Sequence, residues 1–178
     1  MVGSGLIQTF LDGDASTATL IVGVTFEMIS GVAVVAIGLS LYKILKTVNK
    51  KAALGYPLFR IIEFAFSATC GIYLIYKLEV VPNYQLIIYM PTAIGGLILT
   101  YLLYISKLVP RPIAITGLLG YFLLLIGSLL DFPTSLDINK MPGILTLIPG
   151  GLFEFVFFPV WLIVKGFNLP TTEKTETT

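Results

Sequence analysis

Histidine does not occur anywhere in the 178 residues of this chain. That absence removes the commonest metal ligand, haem ligand and general base. Cysteine occurs once, as Cys70 within an apolar run, so no internal disulfide can form; a lone buried cysteine reads as a small packing residue. Charge is scarce as well. Only 12% of the residues are charged, against about 25% in a water-soluble domain. A net charge of +1 lacks the basic excess that nucleic-acid binding leaves in a sequence. The start, "MVGSGLIQTFLDGDASTAT", has no basic region before a continuous apolar core, so it does not read as a signal peptide. No lipidation motif is present at either end.

What the chain has instead is apolar length. It is 56% hydrophobic, with a mean hydropathy of +0.94. Five stretches are long enough to cross a bilayer, which takes roughly 17–25 residues each. They run over 19–43, 54–76, 86–106, 112–130 and 145–165. The fold class expected is all-α, a polytopic transmembrane bundle of about five spanning helices. Residues 1–168 would form a single transmembrane helical domain, and the Thr-rich residues 169–178 a disordered polar tail. The lipid bilayer is the partner that composition demands.

Orientation follows from the basic residues. Lys43, Lys46, Lys50, Lys51, Lys107, Arg111, Lys165 and Lys174 fall on one side of the spans, and only Lys77 and Lys140 on the other. Eight against two predicts an outside N-terminus and a cytoplasmic C-terminus. Tyr42, Tyr76, Tyr84, Tyr89, Tyr104 and Trp161 fall near span ends, where an interfacial aromatic belt is expected.

Four ionisable residues lie inside spans: Glu27, Arg60, Glu63 and Glu154. A charge at the bilayer centre costs at least about 2.5–3.5 kcal/mol, so these should turn inward and pair. Counted along the helices at about 1.5 Å per residue, all three carboxylates can reach the midplane, with Arg60 slightly nearer the cytoplasm. Arg60 and Glu63 are one turn apart and can pair directly. Three carboxylates against one guanidinium leave an excess of negative charge, which suits a proton or a cation; recognition of a small polar group or a lipid headgroup is the other functional reading. A plain polar clasp that fixes helix register accounts for the same residues. Neither a cofactor nor a metal is implied, and Ser67 beside Glu63 lacks the histidine that would make it a nucleophile.

The last span, "LIPGGLFEFVFFPVWLIVKGF", is interrupted by Pro149, Gly150, Gly151 and Pro159. Proline has no N–H, so Pro149 and Pro159 are expected to leave the carbonyls of Leu145 and Phe155 without their helical donors. Broken helices beside a mid-depth ionisable group are a pointer to binding sites in transporters, and simple proline kinks are the plainer alternative. The first four spans also carry faces of small or polar residues at helical spacing: Gly23, Glu27, Gly31 and Gly38; Tyr56, Arg60, Glu63, Ser67 and Gly71; Thr92, Gly96 and Thr100; Gly117, Gly120 and Gly127. Such stripes let helix backbones approach closely.

The segments "ALGYPLFRIIE", "SKLVPRPIAITGLLG" and "LIPGGLFEFVFFPVWLIVKGFN" resemble an uncharacterised prokaryotic multi-pass family, domain of unknown function 4386. The resemblance spans roughly residues 20–168, and "WLIVKGFN" and the "FR…E" pair are its most specific pieces. It places Glu27, Arg60, Glu63 and Glu154 on the family's polar motif positions, and it brings no known activity. Members usually begin with one more spanning helix, so "MVGSGLIQTFL" reads as the end of that helix. One wall of the bundle would then be open to a second copy or a membrane partner. The functions expected are a small carrier-like or helper module, or a structural protein locked by its buried cluster, with an intramembrane lipid-modifying enzyme as a third reading.

Overall fold

A computed structural model describes residues 2–81, 84–131 and 143–168. The polar tail expected at 169–178 and the stretch holding Lys140 lie outside the described residues. Among the described residues the protein is helical, without a strand. A short helix α1 (Val2–Leu11) leads through a turn at Gly13 into α2 (Thr17–Leu45). Next come α3 (Lys50–Lys77), α4 (Tyr84–Ser106) and α5 (Arg111–Asp131). A 3₁₀ turn (Gly143–Thr146) then opens a broken helix, made of α6 (Ile148–Leu152), a π-helical turn (Phe153–Phe157) and α7 (Phe158–Val164).

Local chemistry sets the boundaries. Asn49 accepts from the N–H groups of Lys51 and Ala52, both at 3.1 Å, and so caps the start of α3. Leu78 ends α3 in the left-handed region. Pro110 precedes α5 and Pro112 is its second residue, positions where a missing N–H costs nothing.

The helices pack in chain order, each on the next, with α4 against α5 at the centre and the broken helix against α5. Leu99, Leu102, Leu103, Ala114 and Tyr121 of that central pair are buried. Leu41 and Leu45 of α2, Ala53 and Tyr56 of α3, and Phe153 and Phe158 of the broken helix join them in one core. A smaller cluster of Leu20, Val24 and Leu74 holds α1 through Ile7 and Phe10. Ile29, Leu58, Phe122, Phe155 and Ile163 face outward, as side chains meeting lipid should. This is a multi-pass membrane protein.

Among the described residues four helices are long and apolar enough to cross a membrane: Thr17–Leu45, Lys50–Lys77, Leu86–Ser106 and Arg111–Leu130. The fifth expected span, 145–165, forms a shorter apolar helix, Ile148–Val164. At about 1.5 Å per residue it is roughly 26 Å long, slightly less than the ~30 Å hydrocarbon core.

The two prolines of this segment differ from what the sequence suggests. Pro149 sits in the first turn of α6, where no helical donor is required, so it starts a helix instead of breaking one. Pro159 follows a π-helical turn in which the Phe158 N–H reaches back five residues to the Phe153 carbonyl. The widened turn brings Phe153 and Phe158 onto one face, their rings stacked at 5.2 Å. In a regular α-helix residues five apart point about 140° away from each other.

Candidate functional site

Arg60 is the centre of a polar constellation that the fold assembles in its apolar interior. Its side chain is 2% exposed. Nη1 donates to Glu63 Oε2 at 2.8 Å, within α3. Nη2 donates to Glu154 Oε1 at 2.6 Å, in the π-helical turn. The same Nη2 lies 3.5 Å from the Tyr121 hydroxyl of α5, and Nε lies 3.3 Å from the Tyr56 hydroxyl. The guanidinium also sits 5.3 Å from the centre of the Tyr56 ring, within cation–π range. Three segments far apart in the chain therefore converge on one cation.

Depth explains the convergence. Arg60 is ten residues from the start of α3, Tyr121 ten from the start of α5, and Glu154 ten from the end of α7. Those helix ends share one face of the bundle, so each group sits about 15 Å in from it. That is roughly half the hydrocarbon thickness.

Two glycines let the pieces meet. A Cβ on Gly96 of α4 would stand 2.3 Å from the Tyr121 ring. Only glycine allows that ring to lie across α4 and extend its hydroxyl to Arg60. A Cβ on Gly120 would meet the backbone of Gly150 at 2.3 Å and that of Pro149 at 2.7 Å. The α5 and α6 backbones touch there, one turn before Glu154. Phe153 completes the seat, edge-on to Tyr121 at 6.0 Å. On the other side of Arg60, Gly38 of α2 faces its Cβ and Cγ at 3.6 Å.

Glu27 is set apart from these groups. It lies 18 residues from the end of α2, about 27 Å from the same bundle face, and so about 12 Å in depth from Arg60. The register agrees: Gly38 faces Arg60, Gly31 faces Phe64, and Gly71 faces Val24 and Met28. The expected span 19–43 and the observed helix share a midpoint, so packing, not helix length, sets Glu27 apart. Its side chain instead packs on α1, where a Cβ at Gly3 would meet Glu27 Cγ and Oε1 at 2.9 Å. The structure thus brings together Arg60, Glu63 and Glu154 and gives Glu27 to the α1–α2 interface. The pattern G-x-x-F-E occurs at Gly23–Glu27 and again at Gly150–Glu154, and in both places the glycine closes a helix approach one turn before the carboxylate.

Tyr56 stands one turn before Arg60 on the polar face read for the second span, whereas Tyr121 was not legible as a member of the site. Tyr121 did carry a signal, since it falls mid-span, away from the interface where tyrosine is usual. A buried hydroxyl at that depth needs a partner. Because its bond to Arg60 is long, Tyr121→Phe is expected to lower stability by no more than about 1 kcal/mol. Chemical unfolding in detergent micelles would measure this.

Chemically the cluster is one cation with two carboxylates. The carboxylates are more open than the arginine, with side chains 20% exposed for Glu63 and 32% for Glu154. The described residues hold no group of three histidine, cysteine or acidic side chains suited to a metal ion.

A family model described as "Domain of unknown function (DUF4386)" matches residues 2–82 and 75–166. Neither the curated proteins nor the solved structures compared with the chain provide a match.

Proposed function

The chain belongs to the DUF4386 family of unknown function, and on that premise we propose that it is a non-enzymatic membrane module whose Arg60 cluster works as a polar clasp. The supporting observation is the state of the guanidinium, which is almost fully buried, with Nε and both terminal nitrogens engaged by Glu63, Glu154, Tyr56 and Tyr121. An arginine committed in this way holds helices together and is poorly placed to receive an anionic ligand. The clasp ties α3 to the broken helix across α4 and α5, which suits a helper or assembly role in a larger membrane complex. The module belongs in the cell membrane. Its basic rim faces the cytoplasm, by the eight-to-two distribution of lysine and arginine.

A carrier-like role is the second reading. The partial exposure of Glu63 and Glu154 and a π-helical turn at Glu154 favour it, since π-turns recur at functional sites. One substitution separates the two. Glu154→Gln keeps an oxygen for Arg60 and removes only the charge, so the clasp predicts a small loss of stability, about 1 kcal/mol. It also predicts no change in cation or proton flux through proteoliposomes loaded with a pH-sensitive dye. A flux present in the parent protein and abolished by Glu154→Gln, at unchanged stability, would favour the carrier.

A further inference from the structure

The basic rim of the bundle contains more than an orientation signal. Lys43, Lys46, Lys50, Lys51, Lys107, Arg111 and Lys165 are all exposed. The segments that carry them, 43–54, 104–113 and 161–168, contain no aspartate or glutamate. The opposite rim carries Asp12, Asp14 and Glu79 beside Lys77. Among the described residues this end of the molecule is therefore strongly cationic, and the two glutamates of the sequence that follows, Glu173 and Glu176 beside Lys174, leave the basic excess in place.

Within that rim, two turns are built differently from the lysine-rich α2–α3 connection. The Asn168 N–H donates to the Leu108 carbonyl at 2.9 Å, and the Asn168 side chain donates to the Lys107 carbonyl at 3.4 Å. The end of the broken helix is thus tied to the α4–α5 turn. Leu108 and Val109 of that turn are buried in the main core, with Trp161 and Phe167 packed against the same cluster. Arg111 is held over the Tyr104 ring at 5.7 Å. Lys107 and Gly166 both adopt positive φ, at 58° and 70°, which folds the two turns back on themselves. Three cations, Lys107, Arg111 and Lys165, are in this way presented from an anchored scaffold. A prearranged set loses less freedom on binding than a mobile one.

We infer that the joined turns Lys107–Arg111 and Lys165–Asn168 form a docking surface for the phosphate headgroup of an anionic phospholipid. The surface stands at the ends of spanning helices, where headgroups lie. Arginine and lysine supply the paired and point-charge donors that a phosphodiester takes. Cations next to a spanning helix attract anionic lipid, and the described segments of this rim contribute seven cations and no carboxylate to that attraction. Asn168 and Tyr104 act as positioning residues. This also gives the "SKLVPRP" and "WLIVKGFN" segments a shared purpose.

Trp161, the only tryptophan, reports on the surface, because its carbonyl accepts from the Lys165 N–H one turn later. The full chain would be placed in bilayers containing brominated phosphatidylglycerol or brominated phosphatidylcholine at equal mole fraction, and Trp161 quenching compared. The expected result is stronger quenching by phosphatidylglycerol. That preference should weaken about a hundredfold in apparent affinity in the triple variant Lys107→Gln, Arg111→Gln, Lys165→Gln. It should persist when Lys43, Lys46, Lys50 and Lys51 are changed to glutamine. Should the triple variant fail to fold, the parent protein in about 1 M salt, where the screening length is about 3 Å, must lose most of the preference. Equal quenching by the two lipids in the parent would overturn the proposal. So would a preference that survives in the folded triple variant, or one that inorganic phosphate removes.

Discussion

Arg60→Ala is expected to lower the unfolding free energy in detergent by about 3–5 kcal/mol, because it strands two partly buried carboxylates without their cation. The structure points to this size of effect through burial and convergence together. Arg60 is 2% exposed and holds Glu63 from its own helix and Glu154 from the broken helix. Arg60→Lys should fall between the parent and the alanine variant. An ammonium is a compact point donor and cannot span two carboxylates and two tyrosine hydroxyls as the planar fork does. Both values come from the same reversible unfolding titration. An alanine variant as stable as the parent would mean that the cluster holds nothing together.

The second large effect is steric. Gly120→Ala is expected to destabilise by about 3 kcal/mol, the upper part of the range for overpacking, and to displace Glu154. The new methyl would sit 2.3 Å from the Gly150 nitrogen and 2.5 Å from its Cα, and backbone cannot rotate out of the way as a side chain can. The broken helix must retreat, carrying the carboxylate one turn further on away from Arg60. Gly151→Ala is the matched control, since a Cβ there meets nothing within 4 Å. It should leave stability within about 0.5 kcal/mol of the parent, or raise it slightly, because alanine suits a helix better than glycine. Thermal unfolding of the two variants side by side tests the contrast. Equal melting temperatures would remove the backbone contact from the account.

The helical class and the membrane setting were plain in the sequence, because long apolar runs and scarce charge leave few other folds open. The pairing of Arg60 with Glu63 was also legible, as one helical turn separates them. Glu154 could be matched to them by depth alone. Glu27 was matched by the same arithmetic but packs on α1, a contact that depth alone does not show. Pro149 read as a break because the 3₁₀ turn before it could not be seen in an unbroken apolar run. Tyr121 escaped notice because its role depends on Gly96, a residue on another helix. Contacts between helices are thus where sequence reading ends here, and the glycines that permit them are its best guide.

The central claim is that Arg60 and Glu154 act as one unit joining α3 to the broken helix. A double-mutant cycle tests it most directly, with Arg60→Met, Glu154→Gln and the pair measured by reversible unfolding in the same micelles. The clasp predicts a coupling energy of about 1–3 kcal/mol between the two positions. Losses that add to within about 0.5 kcal/mol, as independent sites do, would contradict it.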